Sequence, residues 1–288
     1  MILVDYNQIC IANLMMQLKH IDSEFDEDMI RHMILNSLRF NKQKFSPDFG
    51  ELVICCDDRN YWRKDYFPFY KAHRKEDREK SPLDWNMIFE TLNKVRDELR
   101  DNFPYKVLRI ERAEADDIIA TLCQKFGQLG ITNGNAEPIL ILSSDKDFAQ
   151  LQKYANVEQY SPNTKKWIRI NNPERYLREH IMRGDRGDGI PNFLSKDNCF
   201  VNGERQKPLS AKKLDVWASL EPTEFCDDNM FRNYRRNEIL VNLDCIPKEI
   251  QNSIHEQYDK YVEPNRKGLL NYFIKNKLRN LTEHIGDF

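Results

Sequence analysis

The sequence predicts an α/β fold, with a central, mostly parallel sheet flanked by helices and a smaller helical region after it. Two observations support this prediction. Short apolar runs alternate in the first half with segments of helical periodicity, which is typical of parallel strands joined by crossover helices. From Pro173 onward, helical segments and longer polar stretches replace the strand pattern. We therefore expect an α/β domain at residues 1–172 and a helical region at residues 173–288.

Five short runs are the predicted strands. Continuous apolar runs are typical of strands buried on both faces, whereas the third run alternates polar and apolar residues. In chain order, the predicted strands are Ile2–Val4, Leu52–Cys56, Tyr105–Ile110, Pro138–Leu142 and Val157–Tyr160. Acidic residues follow the first four. Because ligands of such sheets bind outside the carboxyl ends of the strands, we expect these acids to converge at one edge.

The segments between and after the strands show helical periodicity. Pro47 and Gly50 are expected to interrupt the second helix before the next strand, and Ser81–Asp84 is typical of a cap and first turn. Helices are predicted in the first half at Ile9–Leu18, Met29–Phe40, Asp84–Asn102, Ile118–Phe126 and Phe148–Leu151. In the second half they are predicted at Tyr176–Met182, Lys212–Ser219, Asn229–Val241, Lys248–Tyr261 and Gly268–Leu281, with a polar loop at Asn192–Lys213.

The most acidic junction is Glu114–Asp117, with three carboxylates in four residues between a predicted strand and a predicted helix. These carboxylates repel one another, so a fold that gathers them normally needs cations. For this segment alone, an acidic first turn stabilised by the helix dipole is the alternative. Asp185 and Asp188 add carboxylates in a turn-forming segment, where Asx turns are the alternative.

Carboxylates without a His or Cys cluster favour hard cations, and the six histidines are scattered and ungrouped. Two Mg²⁺ ions, replaceable by Mn²⁺, are therefore the predicted cofactors, and at about 3.5–4 Å apart they suit phosphodiester hydrolysis. Ser143 and Ser144 lack a His partner and are interpreted as cap residues. The predicted metal ligands are Asp5, Asp57, Glu114, Asp116, Asp117, Asp145, Asp147, Asp185 and Asp188.

Composition limits the possible classes of protein. With 288 residues, 40% hydrophobic and 31% charged, the chain has enough apolar material for a globular core. It has neither the ~18-residue apolar run of a membrane span nor a signal peptide, so we expect a cytoplasmic protein, in the host cytoplasm if viral. The seven cysteines are interpreted as reduced structural thiols.

The net charge of −2 argues against nucleic-acid binding, but the charges are unevenly distributed. From Arg59 to Lys80 the chain carries eight Lys or Arg against four acids, with six interleaved aromatic residues. A basic aromatic stretch, together with the acidic residues that follow the predicted strands, suits a site where metal ions and a phosphate chain meet. This composition also predicts that residues 59–80 become ordered on binding.

Taken together and in this order, the acidic motifs resemble those of the flap endonuclease or 5′ nuclease superfamily. The similarity covers nearly the full chain and is strongest to the bacteriophage branch. Outside the acidic residues it rests on Tyr61–Asp65, Tyr154–Trp167 and Asn237–Pro247. The motifs themselves are Ile2–Asp5, Asp57, Glu114–Asp117, Ser144–Asp147 and Gly184–Asp188.

The resemblance implies a PIN-like, 5′ nuclease fold and a Mg²⁺-dependent 5′→3′ exonuclease and flap endonuclease with ribonuclease H activity. Its substrates would be RNA–DNA and DNA duplexes with 5′ ends or flaps, and its role the removal of lagging-strand primers in phage replication. By position, the implied first metal is held by Asp5, Asp57, Glu114 and Asp116, with Asp117 nearby. The implied second metal is held by Asp147, Asp185 and Asp188, with Asp145 between the two.

The segment Tyr70–Arg74 matches the superfamily's Tyr-Lys-x-x-Arg motif at the base of a helical arch. The resemblance implies that Lys71 and Arg74 contact the scissile phosphate, making them catalytic together with Asp116. Tyr66 or Tyr70 is expected to stack on an unpaired base, and a solvated basic helix face is the alternative. The predicted nucleic-acid contacts are Arg63, Lys64, Tyr70, Lys71, Arg74, Lys196, Lys207, Lys212 and Lys213.

The region after the last acidic motif departs from the superfamily pattern. Many members have a Gly-Ile-Gly turn and a duplex-gripping helical motif with a monovalent ion, whereas this chain continues into the long polar loop. We expect a variant helix-turn-helix-type segment that binds duplex DNA. A single-stranded-DNA-binding protein and a sliding clamp are expected partners of a monomer without membrane contact, although the sequence carries no obvious sliding-clamp peptide.

Three other functions are weaker alternatives. A phosphatase of the haloacid dehalogenase type needs an acid two residues after the first Asp, and position 7 is Asn. A non-enzymatic, structure-specific DNA-binding protein would usually have lost some of the acids. A PIN-type ribonuclease would not account for the arch motif or the long second half.

Overall fold

A computed structural model describes residues 1–18, 26–129, 136–262 and 266–288 of the chain. Its centre is a six-stranded sheet, and the predicted α/β fold is confirmed. The strands are β1 (Ile2–Asp5), β2 (Leu52–Cys56), β3 (Lys106–Arg109), β4 (Ile139–Leu142), β5 (Val157–Ser161) and β6 (Lys166–Ile168). They lie in the order β3-β2-β1-β4-β5-β6; β1 to β5 are parallel, and β6 pairs antiparallel with β5.

Helices cover both faces of the sheet and form most of the second half. Those of the first half are α1 (Tyr6–Leu18), α2 (Glu27–Phe49), α3 (Trp62–Tyr66), α4 (His73–Glu79), α5 (Trp85–Asn102) and α6 (Ala115–Phe126). Those of the second half are α7 (Pro173–Arg183), α8 (Ala211–Trp217), α9 (Pro222–Phe225), α10 (Asp228–Val241), α11 (Lys248–Lys260), α12 (Leu269–Lys275) and α13 (Arg279–Thr282). Short 3₁₀ helices cover Asp147–Lys153, Leu243–Cys245, Arg266–Gly268 and Ile285–Asp287.

The strand order reverses between β1 and β4, which places a crevice at their carboxyl ends. The chain runs outward from β1 to β2 and β3, and then returns to the other side of β1 as β4. The register aligns Asp5 of β1 with Cys55 of β2, and Val4 with Leu142 of β4. In open α/β sheets such a switch point is where ligands bind.

Successive strand residues point to opposite faces and so belong to two separate cores. Ile2 and Val4 lie in the core formed with α1, α2 and α5, whereas Leu3 lies in the core formed with α6 and α11. The helices at the end of the chain contribute to the first of these cores through Phe273 and Phe288. The division at residue 172 lies between β6 and α7, and it remains a prediction.

The predicted end of the second helix is wrong. Helix α2 continues through Pro47 to Phe49, because Pro47 lies in the last turn and buried Phe45 and Phe49 fix that turn to the core. Gly50, at φ 81°, ends the helix and donates its N–H to Ser46 O.

The helix predicted at Gly268–Leu281 is instead two helices, α12 and α13. Lys277 between them has a φ of 55°, and Leu278 N donates to Phe273 O. This break buries both Leu278 and Leu281 in the first core. β6 was not predicted, because its three residues are partly exposed at the sheet edge and carry no apolar run.

No helix within the described ranges combines the length and the apolar character needed to cross a membrane.

Candidate metal centre and nucleic-acid interface

The predicted acids gather at the crevice between β1 and β4 in two groups. Asp5 is the last residue of β1, Asp57 directly follows β2, and the helix α6 begins beside them. The first cluster consists of Asp5, Asp57, Glu114 and Asp116. The second cluster consists of Asp147, Asp185 and Asp188, and Asp145 lies between the two, since both Asp5 and Asp188 interact electrostatically with it.

Asp5 and Asp145 are joined through the buried hydroxyl of Ser143. Ser143 Oγ donates to Asp5 Oδ2 at 2.8 Å and accepts from Asp145 N at 3.0 Å. Burial, followed by repulsion from Asp57 and Asp145, raises the pKa of Asp5 to about 8. Burial, followed by repulsion from Asp147, raises the pKa of Asp145 to about 7. This geometry gives Ser143 a bridging and capping role rather than a nucleophilic one.

Asp57 is fixed on both carboxylate oxygens. Asn7 Nδ2 donates to Asp57 Oδ2 at 2.7 Å, and Ala115 N, in the first turn of α6, donates to Asp57 Oδ1 at 2.8 Å. Burial and then the charge of Glu114 raise the pKa of Asp57. Asn7, the residue that argues against a phosphatase, therefore orients a carboxylate of the first cluster.

Glu114 is buried and is contacted by three polar side chains. Lys71 Nζ contacts its Oε1 at 2.6 Å, and Arg63 Nη1 contacts its Oε2 at 2.9 Å. The Tyr70 hydroxyl oxygen lies 3.0 Å from the same Oε2. Asp116 differs, because among the described residues it has neither a hydrogen-bond nor an ion-pair partner. Enclosure by the protein, followed by the charges of Asp145 and Asp5, raises its pKa well above the usual value.

Asp117 does not belong to the first cluster, which corrects the predicted ligand set. It is 0% exposed, and its Oδ2 accepts from Glu114 N at 2.9 Å and from Trp62 Nε1 at 3.1 Å. Its other oxygen pairs with Arg63 Nη1 at 2.8 Å. Asp117 is the N3 residue of the capping box that begins α6. It therefore holds the backbone of Glu114 in position, and its buried carboxylate does not face the crevice.

The second cluster is built on a turn rather than on strand ends. Gly184, at φ 65°, ends α7, and Asp185 Oδ1 then accepts from Asp188 N at 3.1 Å. The Asx-type hydrogen bond offered as the alternative is thus present, and the same turn brings Asp185 close to Asp147, whose charge acts on it electrostatically.

Asp188 is paired with the cations of the arch motif. Arg74 Nη2 contacts its Oδ1 at 2.6 Å, and Tyr70 donates to its Oδ2 at 2.8 Å. Lys71 Nζ lies 3.4 Å from the same oxygen. Burial by itself would raise the pKa of Asp188, but these cations and the Tyr70 hydrogen bond outweigh it and hold the pKa below its usual value.

His180 is a site residue that the sequence analysis missed. Its Nε2 lies 2.7 Å from Asp147 Oδ1 and 3.8 Å from Asp185 Oδ2. One ligand atom from each of these three residues lies within 4.8 Å of the others. The interpretation of the histidines as ungrouped is therefore wrong for His180. Its place in the last turn of a helix, five residues before Asp185, was the available signal.

Two predicted nucleic-acid contacts are wrong because their side chains are buried. Arg63 is 2% exposed, and besides its two carboxylate partners it donates from Nε to Leu240 O at 3.0 Å. Tyr70 is also 2% exposed, with its hydroxyl bound in the crevice. Tyr66, which is 45% exposed, is the arch aromatic that remains free to stack on a base.

The remaining predicted contacts are exposed, except Lys71, which is partly buried. Lys64 and Arg74 are exposed, and the Lys71 ammonium reaches the crevice between the two clusters. Lys196 and Lys207 line a cavity of about 760 Å³ together with Arg232. Lys212 and Lys213 are exposed in the first turn of α8, which Ser210 caps through Lys213 N. All four lysines follow the second cluster's turn in the sequence.

The residues present fit hard divalent cations. The first cluster offers only oxygen ligands, and burial, followed by repulsion from neighbouring carboxylates, raises the pKa of Asp5, Asp57 and Asp116. A bound cation would offset that repulsion. The cluster therefore has the donor type and the electrostatic need that suit a hard divalent cation.

Comparison with known proteins agrees with this geometry. Residues 16–181 match the family described as 5′-3′ exonuclease, N-terminal resolvase-like domain, and residues 172–288 match T4 RNase H, C terminal. Ribonuclease H of Enterobacteria phage T4 is 35% identical over an alignment of 296 positions, which covers 99% of this chain and 95% of that protein. Flap endonuclease Xni of Shewanella piezotolerans is 28% identical over 54% of this chain and 64% of its own length.

A similar solved structure is the flap endonuclease of bacteriophage T5 in a complex with DNA and metal ions. It is 16% identical, covers 89% of this chain and 96% of its own, and has a TM-score of 0.57. At this identity the likeness concerns the fold. Together, these matches confirm the resemblance predicted from the acidic motifs.

Proposed function

The chain belongs to the 5′-3′ exonuclease family, and from that premise we propose that it is a Mg²⁺-dependent 5′→3′ exonuclease and flap endonuclease with ribonuclease H activity. It hydrolyses phosphodiesters near the 5′ ends of RNA–DNA and DNA duplexes. The observation that carries this proposal is the convergence of carboxylates from three strand ends with two cations of the arch motif, Lys71 and Arg74. Support also comes from the T5 relative, which was solved with DNA and metal ions.

Each cluster holds one divalent cation in this proposal. Asp5, Asp57, Glu114 and Asp116 bind the first, Asp147, Asp185 and Asp188 bind the second, and Asp145 lies between them. When bound, the two cations supply an activated water and stabilise the leaving oxygen of the phosphodiester. Asp116 is the most available ligand, since no described side chain occupies its carboxylate.

Lys71 and Arg74 bind the scissile phosphate. In the structure their partners are Glu114 and Asp188, both of which are anionic acceptors like a phosphate oxygen. Arg74 can clamp two phosphate oxygens through its planar guanidinium, and Lys71 acts as a compact point charge. Both residues stabilise the charge that develops on the phosphate during hydrolysis.

The substrate extends from the crevice in two directions. An unpaired 5′ base stacks on Tyr66 beside the exposed Lys64, and the duplex lies along the surface of Lys196, Lys207, Lys212 and Lys213. The division into a nuclease domain of residues 1–172 and a helical duplex-binding region of residues 173–288 follows this arrangement.

The biological role in this proposal is removal of lagging-strand RNA primers during phage replication in the host cytoplasm. The similarity to a phage ribonuclease H supports it. The protein acts as a monomer, with a single-stranded-DNA-binding protein and a sliding clamp as the proposed partners.

Cleavage of a 5′-labelled flap and of a nicked RNA–DNA duplex tests the proposal. Wild type, Asp116→Asn and the control Asp48→Asn, an exposed carboxylate of α2, are compared with Mg²⁺ and with EDTA. We expect short 5′ products that require Mg²⁺, that are lost in Asp116→Asn and that persist in the control. Tight substrate binding by wild type without cleavage in either condition would instead support a non-enzymatic DNA-binding protein.

A further inference from the structure

We propose that His180 is a direct metal ligand, so that Asp147, His180 and Asp185 form a mixed nitrogen and oxygen site that takes Mn²⁺ in preference to Mg²⁺. The inference rests on the proposed function, because it concerns the cation of the second cluster. It divides the two clusters by metal preference, with an all-oxygen first site and an imidazole-containing second site.

The placement of the His180 imidazole carries the proposal. Its Nε2 lies between two carboxylates, 2.7 Å from Asp147 Oδ1 and 3.8 Å from Asp185 Oδ2. The three ligand atoms lie within 4.8 Å of one another, which is a separation that one cation can span. In the structure Nε2 faces the Asp147 carboxylate and is the nitrogen that donates to it. Binding of a cation through Nε2 therefore requires that the ring proton move to Nδ1, which forms no hydrogen bond with a described residue.

The backbone around His180 is well anchored. The Tyr176 ring stacks on the imidazole, with ring centroids 6.0 Å apart and an interplanar angle of 26°. The next residue, Ile181, is buried, and its carbonyl accepts from Asn237 Nδ2 at 2.8 Å. The imidazole is therefore held in place before a cation arrives, which reduces the cost of ordering a ligand.

The chemistry of the ligand predicts the metal. Imidazole nitrogen is a better ligand for first-row transition ions than for Mg²⁺, and Mn²⁺ also accepts carboxylate and water, so a site of one imidazole and two carboxylates suits Mn²⁺. An imidazole that only donated a hydrogen bond to Asp147 would orient that carboxylate without changing metal preference. The two roles differ in whether nitrogen is bonded to the ion.

Mn²⁺ electron paramagnetic resonance on the full chain separates these roles without any measurement of activity. Titration gives the number and affinity of bound Mn²⁺ ions, and pulsed spectra detect the coupling of a directly bound ¹⁴N nucleus. The samples are wild type, wild type labelled with ¹⁵N-histidine, His180→Gln and the control His255→Gln, a residue of α11 outside both clusters.

We expect two bound Mn²⁺ ions in wild type, with a nitrogen coupling that changes to the ¹⁵N pattern on labelling. His180→Gln should lose the coupling and bind the second Mn²⁺ at least about tenfold more weakly, whereas His255→Gln should match wild type. Mg²⁺ should displace Mn²⁺ from the first site at lower concentration than from the second.

Two bound Mn²⁺ ions without nitrogen coupling in wild type would overturn the inference while leaving the proposed function intact. The same holds if the coupling persists in His180→Gln. Absence of any Mn²⁺ or Mg²⁺ binding by wild type would instead contradict the proposed function. The wild-type spectra need no variant, so the inference can fail even if His180→Gln does not fold.

Discussion

The two carboxylate clusters occupy one crevice but are built on different scaffolds. The first is fixed by the carboxyl ends of β1 and β2 and by the first turn of α6, and Asp57 is held on both oxygens by Asn7 and Ala115. The second depends on a turn after α7 and on the start of a 3₁₀ helix, and its Asp185 side chain is 30% exposed. The sheet thus defines one site rigidly, and packing of the second half completes the other.

Paired substitutions in the two clusters give the largest expected difference. Asp57→Asn removes a charge from a doubly hydrogen-bonded ligand and should lower kcat by about 10³-fold or more. Asp185→Asn should lower kcat by only about 10- to 100-fold, and raised Mg²⁺ should restore part of the loss, because that site is more open. Single-turnover cleavage of a flap across a Mg²⁺ titration measures both, and equal losses without rescue would contradict the distinction between the scaffolds.

The two arch cations provide the next comparison. Lys71 lies between the clusters and contacts Glu114, whereas Arg74 contacts Asp188 and is 44% exposed. Lys71→Ala should therefore lower kcat by about 10²- to 10³-fold and Arg74→Ala by about tenfold. Lys75→Ala, on the exposed face of α4, is the matched control and should cleave the same flap like wild type. A larger loss in Arg74→Ala would mean that the second cluster faces the phosphate.

In the metal-free protein, the pH dependence of the free energy of unfolding should differ between substitutions in the first cluster and in the second. The pKa of Asp5 is about 8 in the folded state and ~4 in the unfolded chain, so folding takes up a proton between these values. The free energy of unfolding should therefore fall as pH rises from 4 to 8. Asp5→Asn should remove the part of this fall that Asp5 causes and gain on the order of 1–3 kcal/mol at pH 8.

Urea unfolding in EDTA at pH 5.5 and pH 8 measures the effect. Asp185→Asn is the comparison from the second cluster and should gain less at pH 8, because Asp185 is less buried. If wild type and Asp5→Asn lost stability equally between the two pH values, the protonated state inferred for Asp5 would be wrong.

The smallest expected effect comes from the contact between the second cluster's turn and the arch. Gly189 has a φ of 73°, and a Cβ there would lie 3.0 Å from Phe69 O and 3.4 Å from Lys71 N. Gly189→Ala should cost about 1–2 kcal/mol of stability and lower cleavage a few-fold by displacing Lys71. Gly203→Ala is the matched control, since Gly203 has a φ of 68° but nothing near its Cβ position.

Thermal unfolding and flap cleavage of both glycine variants test the contact. The Gly203 variant should show only the strain of positive φ and cleave like wild type. Equal cleavage by the two variants would show that the turn does not position Lys71.

The first cluster could be predicted from sequence because it follows from sheet topology. Runs such as Ile2–Val4 identify strands, and parallel strands bring their carboxyl ends to one edge. Roles that depend on tertiary packing could not be predicted in this way. Arg63 and Tyr70 lie in a stretch whose composition indicates solvent and nucleic acid, yet both side chains turn inward to neutralise or bind buried carboxylates.

Asp117 and His180 also have roles that depend on tertiary packing: one was wrongly included among the metal ligands, and the other was missed. Closeness in sequence groups Asp117 with its acidic neighbours. Its position on α6, however, directs its side chain toward Arg63. His180 is distant in sequence from Asp147 and meets it only because α7 packs on the 3₁₀ helix. The continuation of α2 through Pro47 and the break before α13 likewise depend on the burial of neighbouring apolar side chains.

The hydrogen bond from Arg63 Nε to Leu240 O has a consequence for protein synthesis. Glu114 is held by an arginine whose own support comes from the end of α10, far later in the chain. A ribosome-bound nascent chain that has released only the sheet lacks the carbonyl that holds Arg63 Nε, and it lacks Asp185 and Asp188 of the second cluster. Translation itself delays the assembly of the site until most of the polypeptide has emerged.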